Sequence, residues 1–154
     1  MLAQSGTGSQ TGTGPVTVKM GTLGGDGLGA RATLAPSIEQ DGAEQIFTTK
    51  KKLTFEGDGD FVVKVNSDTV TFDQVIAKGV TITPGATLSV SDLGNTVLPI
   101  GTSVTLINNT SASPISGTFA GLPEGATYTV GNNTWRITYQ GGDGNNINQD
   151  TVDN

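Results

Sequence analysis

Short segments in which apolar and polar residues alternate run along most of this chain, and turn-forming residues separate them. Clear examples are DFVVKV at 60–65, TSVTLI at 102–107 and TWRITY at 134–139. Successive side chains of a strand point to opposite faces, so this period of two predicts strands with one buried face. Turn signals return about every 8–12 residues, which is the spacing found in all-β proteins. The pattern therefore predicts an all-β fold.

The composition supports strands and tight turns over helices. The 154 residues include 23 glycines, and only 14% of the residues are charged. Glycine costs about 1 kcal/mol in a helix relative to alanine, and threonine and asparagine are weak helix formers. A helical turn is plausible at one place, residues 37–46, where Gly42 interrupts it. The architectures that remain are a sandwich, a barrel and a solenoid.

Three observations favour the solenoid. Few turns have the two-residue Asn-Gly form that is typical of hairpins. Alternate strand positions carry mainly Val, Ile, Leu, Thr and Phe, which stack as ladders, and aromatic residues make up only 5% of the chain. At roughly 20–25 residues per rung the chain would supply about five or six short rungs. The expected organisation is a Gly/Ser/Thr-rich linker or cap at 1–14, one β-solenoid domain at 15–148 and a polar tail at 149–154.

The charges and the missing residue types exclude several classes of function. A net charge of −6 argues against a nucleic-acid partner, and the basic run at 50–52 is interpreted as a solvated edge that hinders strand pairing. The chain lacks cysteine and histidine, which removes disulfides, thiolate and histidine metal sites and the Ser-His-Asp and Cys-His nucleophiles. The sequence contains no run of about 20 apolar residues, so no segment is predicted to cross a membrane as a helix. The opening MLAQSG lacks the features of a signal peptide, so export would depend on a segment outside this sequence.

The densest group of carboxylates lies in EGDGDF, where Glu56, Asp58 and Asp60 occupy alternate positions. In an extended strand these three side chains would share one face. Three interpretations are open: a glycine turn whose aspartates bond backbone amides, a calcium site, and an acid–base pair for hydrolysis. The turn is favoured, calcium is the alternative, and we expect no enzyme activity.

A second calcium candidate is Asp143, in GGDGNNINQ at 141–149. The stretch overlaps the nonapeptide of calcium-binding β-rolls, but Asn146 replaces the aspartate ligand and Asn148 replaces the apolar anchor. Calcium takes 6–8 oxygen ligands, which rolls obtain from stacked consecutive repeats, and this chain has one imperfect copy. A structural turn that ends a strand is therefore favoured here as well.

The positions of aromatic and threonine residues raise two further binding hypotheses, one for carbohydrate and one for ice. Trp135 and Tyr139 are predicted to share one face of a strand, where they would form a small carbohydrate platform or cap the open apolar end of the core. Capping is favoured. Thr-x-Thr pairs at 69–71 and 81–83 are attributed to strand propensity rather than to ice binding.

Several pieces of the chain from residue 68 onward, taken together, resemble the end of the autotransporter-associated β-strand repeat region. They are DQVIAKGV (73–80), GATLSV (85–90), PIGTSVTLI (99–107), ISGTFAGLPEGA (115–126) and WRITYQGGDGN (135–145). Residues 21–37 and 51–65 are similar to preceding repeats. The resemblance implies a right-handed parallel β-helix. One departure is that relatives continue from Gly-Asp-Gly-Asn-Asp into a Leu-Thr-Leu strand, whereas this chain continues with polar residues, so a frayed or altered last strand is expected.

The resemblance also implies a role without catalysis. The expected function is a structural or adhesive segment, a stalk or passenger, of a bacterial exported protein at the cell surface. Expected partners are other copies, joined through the solenoid ends into a filament, and a host or matrix glycan or protein. The alternative is an extracellular module that binds carbohydrate or calcium. Neither a cofactor, nor nucleic acid, nor membrane insertion is expected.

Overall fold

The computed structural model describes residues 16–18, 22–23, 32–36 and 45–153, and all its regular elements are strands. In chain order they are β1 (Val16–Val18), β2 (Thr22–Leu23), β3 (Ala32–Leu34), β4 (Ile46–Thr49), β5 (Leu53–Phe55), β6 (Gly59–Asn66), β7 (Thr71–Phe72), β8 (Gln74–Ala77), β9 (Val80–Ile82), β10 (Thr87–Asp92), β11 (Ser103–Asn109), β12 (Thr127–Val130), β13 (Asn133–Gly141) and β14 (Asn146–Asp153). The all-β prediction is confirmed. The linker or cap predicted at 1–14 and most of the helical turn considered at 37–46 lie outside the described residues. In the described ranges, no helix is long and apolar enough to cross a membrane.

Consecutive strands between residues 46 and 109 visit three sheets in a fixed order. Sheet A contains β1, β5 and β9; sheet B contains β2, β3, β6, β7 and β10; sheet C contains β4, β8, β11 and β12–β14. The chain passes from C to A to B through β4, β5 and β6, and repeats this order through β8, β9 and β10. Each strand of the second pass pairs in parallel with its counterpart in the first. A third pass begins with β11, which is parallel to β8.

The register of these parallel pairs places like side chains over one another. On sheet B, Leu34 pairs with Phe61, and Phe61 pairs with Leu88. On sheet A, Phe55 pairs with Ile82. Every second residue of β6 is buried, which is the period of two that the sequence shows. The inward positions of successive passes therefore build one continuous apolar core.

Each pass is longer than the sequence indicated. Leu53 pairs with Val80 and Phe47 pairs with Val75, so one pass takes 27 or 28 residues instead of about 20–25. The connection from β10 to β11 at 93–102 lengthens the next pass further. Residues 46–109 complete two passes and begin a third, and the earlier strands β1 and β3 stack in parallel on β5 and β6, with β2 beyond β3. The number of rungs stays a prediction.

The C-terminal third of the chain is antiparallel. Strand β14 pairs antiparallel with both β11 and β13, and β12 pairs antiparallel with β13; on sheet B, β7 is antiparallel to β6. The turn at 142–145 reverses the chain and returns β14 alongside the strand that precedes it. The sheets are therefore mixed, and the prediction that residues 15–148 form a parallel β-helix throughout is wrong.

The segment predicted as a polar tail from residue 149 belongs to β14, which continues to Asp153. Its inward positions are Ile147, Gln149 and Thr151, all of which are buried. The apolar alternation that marks other strands is absent from the sequence here because two of the three inward residues are polar. The expected frayed last strand is thus a full-length strand between β11 and β13.

Four of the eight aromatic residues form one cluster in the core. The ring centroid of Phe55 lies 5.5 Å from that of Phe61 and 5.4 Å from that of Phe119. Tyr139 adjoins the cluster through Phe119, at 6.4 Å. The low aromatic content is therefore concentrated at the place where β5, β6, β13 and the 115–126 segment meet.

Candidate functional site

The carboxylates of EGDGDF lie at the corner where the chain passes from sheet A to sheet B. The carbonyl of Glu56 accepts a hydrogen bond from the amide of Gly59 at 2.8 Å, which closes the predicted turn. Asp58 is exposed at the tip, whereas Asp60 lies on β6. The Oδ1 atom of Asp60 accepts hydrogen bonds from the hydroxyls of Thr87 at 2.9 Å and Ser89 at 3.1 Å. Asp60 therefore joins β6 to β10 across the sheet.

The glycines of this corner are required by the stacking of successive passes. A Cβ atom on Gly57 would lie 2.6 Å from the carbonyl oxygen of Pro84, and one on Gly85 would lie 2.4 Å from the carbonyl oxygen of Gly57. Both distances are shorter than any ordinary contact, so a side chain at either position would separate the two corners. The glycine pattern of EGDG thus has a structural explanation that needs no ligand.

The second calcium candidate, Asp143, is exposed in the hairpin turn between β13 and β14. The amide of Gly144 donates to the carbonyl of Gly141 at 3.0 Å, which confirms a turn at this stretch. Asn146, which replaces the expected aspartate ligand, accepts a hydrogen bond from the amide of Asn109 at 3.0 Å. Among the residues that the structure describes, no three side chains of the Asp, Glu, His or Cys type are grouped to hold a metal ion. Calcium binding stays a prediction.

Trp135 and Tyr139 share one face of β13, as predicted, but that face is the interior. Their side chains are 1% and 5% exposed. A ring must present its face to solvent in order to stack on a sugar, so the predicted carbohydrate platform is not formed in this structure. Their burial is what the capping interpretation requires.

Tyr139 is the centre of a hydrogen-bond network that ties the 119–124 segment to β13. Its hydroxyl accepts from the amide of Phe119 at 3.0 Å and donates to the carbonyl of Leu122 at 2.7 Å. The Glu124 carboxylate accepts from the Tyr139 amide at 2.7 Å and from the Thr138 hydroxyl at 2.6 Å. Burial raises the pKa of the Tyr139 hydroxyl to about 12, so the group stays protonated and able to donate. The residues that carry the family resemblance therefore have structural roles here.

A second network holds the connection from β10 to β11. The Oδ1 atom of Asp92 accepts hydrogen bonds from the amides of Ser67 and Gly94, both at 2.9 Å. Asn133, which is fully buried, accepts from the amide of Leu98 at 2.7 Å and donates to the carbonyl of Thr96 at 2.9 Å. This network joins sheet B to the hairpin of β12 and β13.

Asp68 is part of the same connection. Its Oδ1 atom accepts hydrogen bonds from the Thr96 hydroxyl at 2.6 Å and from the amides of Asn95 and Thr96 at 2.9 Å. These bonds lower the pKa of Asp68 below its usual value, with the Thr96 hydroxyl as the largest cause. A carboxylate held in this way organises a loop, and all three of its bonds are to groups of this chain.

The candidate residues lie in separate places instead of converging on one site. The acidic turn lies between β5 and β6, Asp143 lies beyond β13, and the two aromatic rings are in the core. Lys78 was not predicted from the sequence to lie near Lys50–Lys52, although the fold places it beside them. The sequence signal that could have shown this is their separation along the chain, which equals the length of one pass.

Comparison of this chain with protein-family models, with curated proteins and with solved structures found no match. The resemblance to the autotransporter-associated repeat stays a prediction.

Replacing Tyr139 with phenylalanine should lower the free energy of unfolding by about 2 kcal/mol, because two hydrogen bonds are lost and their partners are left unpaired. Tyr128→Phe is the matched control on the neighbouring strand β12. Its hydroxyl makes one hydrogen bond, to Gln149, so a loss of about 1 kcal/mol is expected. Urea unfolding of both variants measures the difference. Equal losses would contradict the central role of Tyr139.

Proposed function

We propose that this chain is a non-catalytic structural segment, a stalk or passenger segment, of a bacterial protein exported to the cell surface. The observation that carries the proposal is the repeated passage of the chain through sheets C, A and B between residues 46 and 109. In such an arrangement each pass satisfies the backbone groups of the next, and length is gained by about 4.8 Å per pass. The finer proposal is that this parallel part is a right-handed β-solenoid, because parallel crossovers are right-handed in about 98% of cases.

The antiparallel strands support this role by giving the stack a terminal unit that differs from its parallel passes. An open sheet end offers unpaired amide and carbonyl groups to any passing strand. Here β14 pairs with the edge of β11, and β13 and β12 continue sheet C with antiparallel strands, so that β12 is the last strand of this sheet. Repeat proteins require an atypical terminal unit to stay soluble. Because β14 already occupies the edge of β11, the proposal does not include a filament built through β11.

The turns and networks described above support a role without chemistry. The carboxylates of Asp60, Asp68 and Asp92 are bonded to hydroxyl and amide groups that hold adjacent passes or loops together. Each of them is explained by stability alone. A rigid spacer needs this kind of internal bonding, since its task is to keep its shape outside the cell.

The proposal predicts that trypsin will not cut between residues 45 and 153 of the folded protein. The backbone next to the exposed lysines is bonded to the adjacent pass: the Lys78 amide donates to the Lys51 carbonyl at 3.3 Å and the Leu53 amide donates to the Gly79 carbonyl at 2.9 Å. A protease needs a locally unfolded segment, and the rate of cleavage follows the population of that open state. Mass spectrometry over time should show a fragment that retains 45–153.

Two results would overturn the proposal. Rapid cleavage after Lys51, Lys52 or Lys78 would show that the passes are not rigid. Urea-unfolded protein, digested under the same conditions, is the positive control.

Antibodies raised against residues 45–153 should label intact cells of the organism that encodes the protein. Labelling that requires lysis of the cells would remove the cell-surface role while leaving the rigid fold intact.

A further inference from the structure

Half of the cationic side chains of this protein lie at one corner of the fold. The chain has eight lysines and arginines, and four of them, Lys50, Lys51, Lys52 and Lys78, occupy the corner where sheet C gives way to sheet A. Lys50–Lys52 connect β4 to β5, and Lys78 lies in the equivalent connection from β8 to β9 one pass later. All four are exposed. We call them the basic corner.

The fold holds these like charges close together. The Lys78 amide donates to the Lys51 carbonyl at 3.3 Å, and a Cβ atom at Gly79 would lie 3.7 Å from Cγ of Lys52. Adjacent parallel strands are about 4.8 Å apart, so the ammonium groups of the two passes can gather within one Debye length of about 10 Å. Crowded like charges repel one another and destabilise the compact state.

The described residues do not neutralise this charge, although the protein carries a net charge of −6. Among them, no carboxylate lies within ion-pair distance of the basic corner, and the one ion pair joins Arg136 to Asp150, on β13 and β14. A positive surface that its described neighbours leave uncompensated, on an acidic protein, is matched to an anionic partner from outside.

Hydroxyl groups continue the row into the third pass. The Thr110 amide donates to the Ala77 carbonyl at 2.8 Å, which places Thr110 and the turn that follows it on the pass next to Lys78. The buried Asn109 fixes this arrangement, because its Oδ1 atom accepts hydrogen bonds from the amides of Gly79 at 2.9 Å and Ser111 at 3.1 Å. Thr110 and Ser113 are exposed. The corner therefore presents ammonium groups on two passes and hydroxyl groups on the next.

We propose that the basic corner binds a linear anionic polysaccharide whose sugars carry carboxylate or sulfate groups, and that this chain lies across the stacked connections. Lysine is a flexible point charge with three donors, which suits charged groups spaced along a polymer. The Ser113 hydroxyl would pair with sugar hydroxyls, and the Thr110 hydroxyl, which donates to the Ala77 carbonyl at 3.2 Å, would accept from them. This binding site does not depend on the stalk proposal, which concerns the stacked passes.

Two other partners fit the corner less well. Sites for single-stranded nucleic acid combine a positive groove with exposed aromatic rings, and of the nearest rings Phe55 is fully buried and Phe47 is half-buried. A second copy of this chain would need about 800 Å² on each partner, and the described residues of the adjoining sheet A amount to three strands of three residues each. A narrow polymer needs no such area.

The test measures binding of a heparin fragment and of polygalacturonate to the full chain at roughly 50 mM salt and at higher salt. The double variant Lys51→Gln/Lys78→Gln should bind at least about tenfold more weakly, and its dependence of log K on log salt should be shallower by about 1.4. The matched control is Lys64→Gln/Arg136→Gln, which removes the same charge from other places. It should bind within about twofold of the wild type, because charges beyond a Debye length are screened. Thermal melts show that both variants are folded.

Five outcomes would overturn the proposal. They are the absence of binding to either polysaccharide, equal weakening in the two double variants, and equal binding of uncharged dextran. The fourth is tighter binding of a single-stranded oligonucleotide with the same number of charges as the heparin fragment, which would assign the corner to nucleic acid. Sedimentation of the wild type and of the two double variants tests the remaining partner. A dimer that is lost only in Lys51→Gln/Lys78→Gln would assign the corner to a second copy.

Discussion

Replacing Gly117 with alanine is expected to lower the free energy of unfolding by about 3 kcal/mol or more. Gly117 has φ +87°, a region that costs about 1–2 kcal/mol for a residue with a side chain. A Cβ atom at this position would also lie 1.9 Å from the carbonyl oxygen of Ile82. Relief of that overlap requires the backbones to separate, and overpacking of this kind costs about 1–3 kcal/mol.

The contact that would break is the one that brings the 115–126 segment onto sheet A. Ser116 forms an isolated parallel bridge with Thr81, in which the Ile82 amide donates to the Ser116 carbonyl at 2.7 Å. Gly121 supplies a control with φ +75° and open space around its Cβ position. Gly121→Ala should cost only the conformational part, about 1–2 kcal/mol. Chemical unfolding of both variants separates the two effects, and equal losses would show that the overlap with Ile82 is relieved at no cost.

Phe119→Ala should have a comparable or larger effect, a loss of about 3–5 kcal/mol. The Phe119 side chain is 1% exposed and lies between Phe55, Phe61 and Tyr139, with centroid distances of 5.4, 6.2 and 6.4 Å. Its truncation leaves a cavity that rigid strands on both sides cannot close, and it removes aromatic contacts worth about 0.5–1.5 kcal/mol each.

The matched control for this prediction is Phe47→Ala on β4, where the phenyl ring is only half-buried. Removal of that ring should cost about 1 kcal/mol. The free energies come from urea titrations with both variants at the same protein concentration. If Phe47→Ala were as damaging as Phe119→Ala, the aromatic cluster would not be the centre of the core.

Much of the strand content follows from the sequence because a period of two is a local signal. DFVVKV at 60–65 lies in β6, TSVTLI at 102–107 spans most of β11, and TWRITY at 134–139 lies in β13. The direction of pairing is not local. Alternation is the same in parallel and antiparallel strands, so the hairpins of β12–β14 could not be distinguished from further passes. Strand β14 was missed because Gln149 and Thr151 occupy inward positions where apolar residues would normally reveal a strand.

The candidate residues show the same division between local and distant information. The turn at Gly57–Asp58 and the turn that contains Asp143 were predicted, because glycine and aspartate bias the backbone of their own segment. The burial of Trp135 depends on a core that distant strands build together, which no spacing rule connects to it. Likewise, Lys78 joins Lys50–Lys52 only because one pass takes 27 or 28 residues, a length that depends on the register of distant strands.

The antiparallel strands β12–β14 make the two ends of the stack different. Because β14 occupies the edge of β11, a further parallel pass in sheet C is added before this pairing, by a unit that stacks in the same register as β4, β5 and β6. A duplicated unit of 27 or 28 residues would add about 4.8 Å and leave both β12–β14 and the Tyr139 network untouched. The reach of such a protein is therefore set in uniform steps by the number of duplicated units, while one unchanging terminal module serves every length.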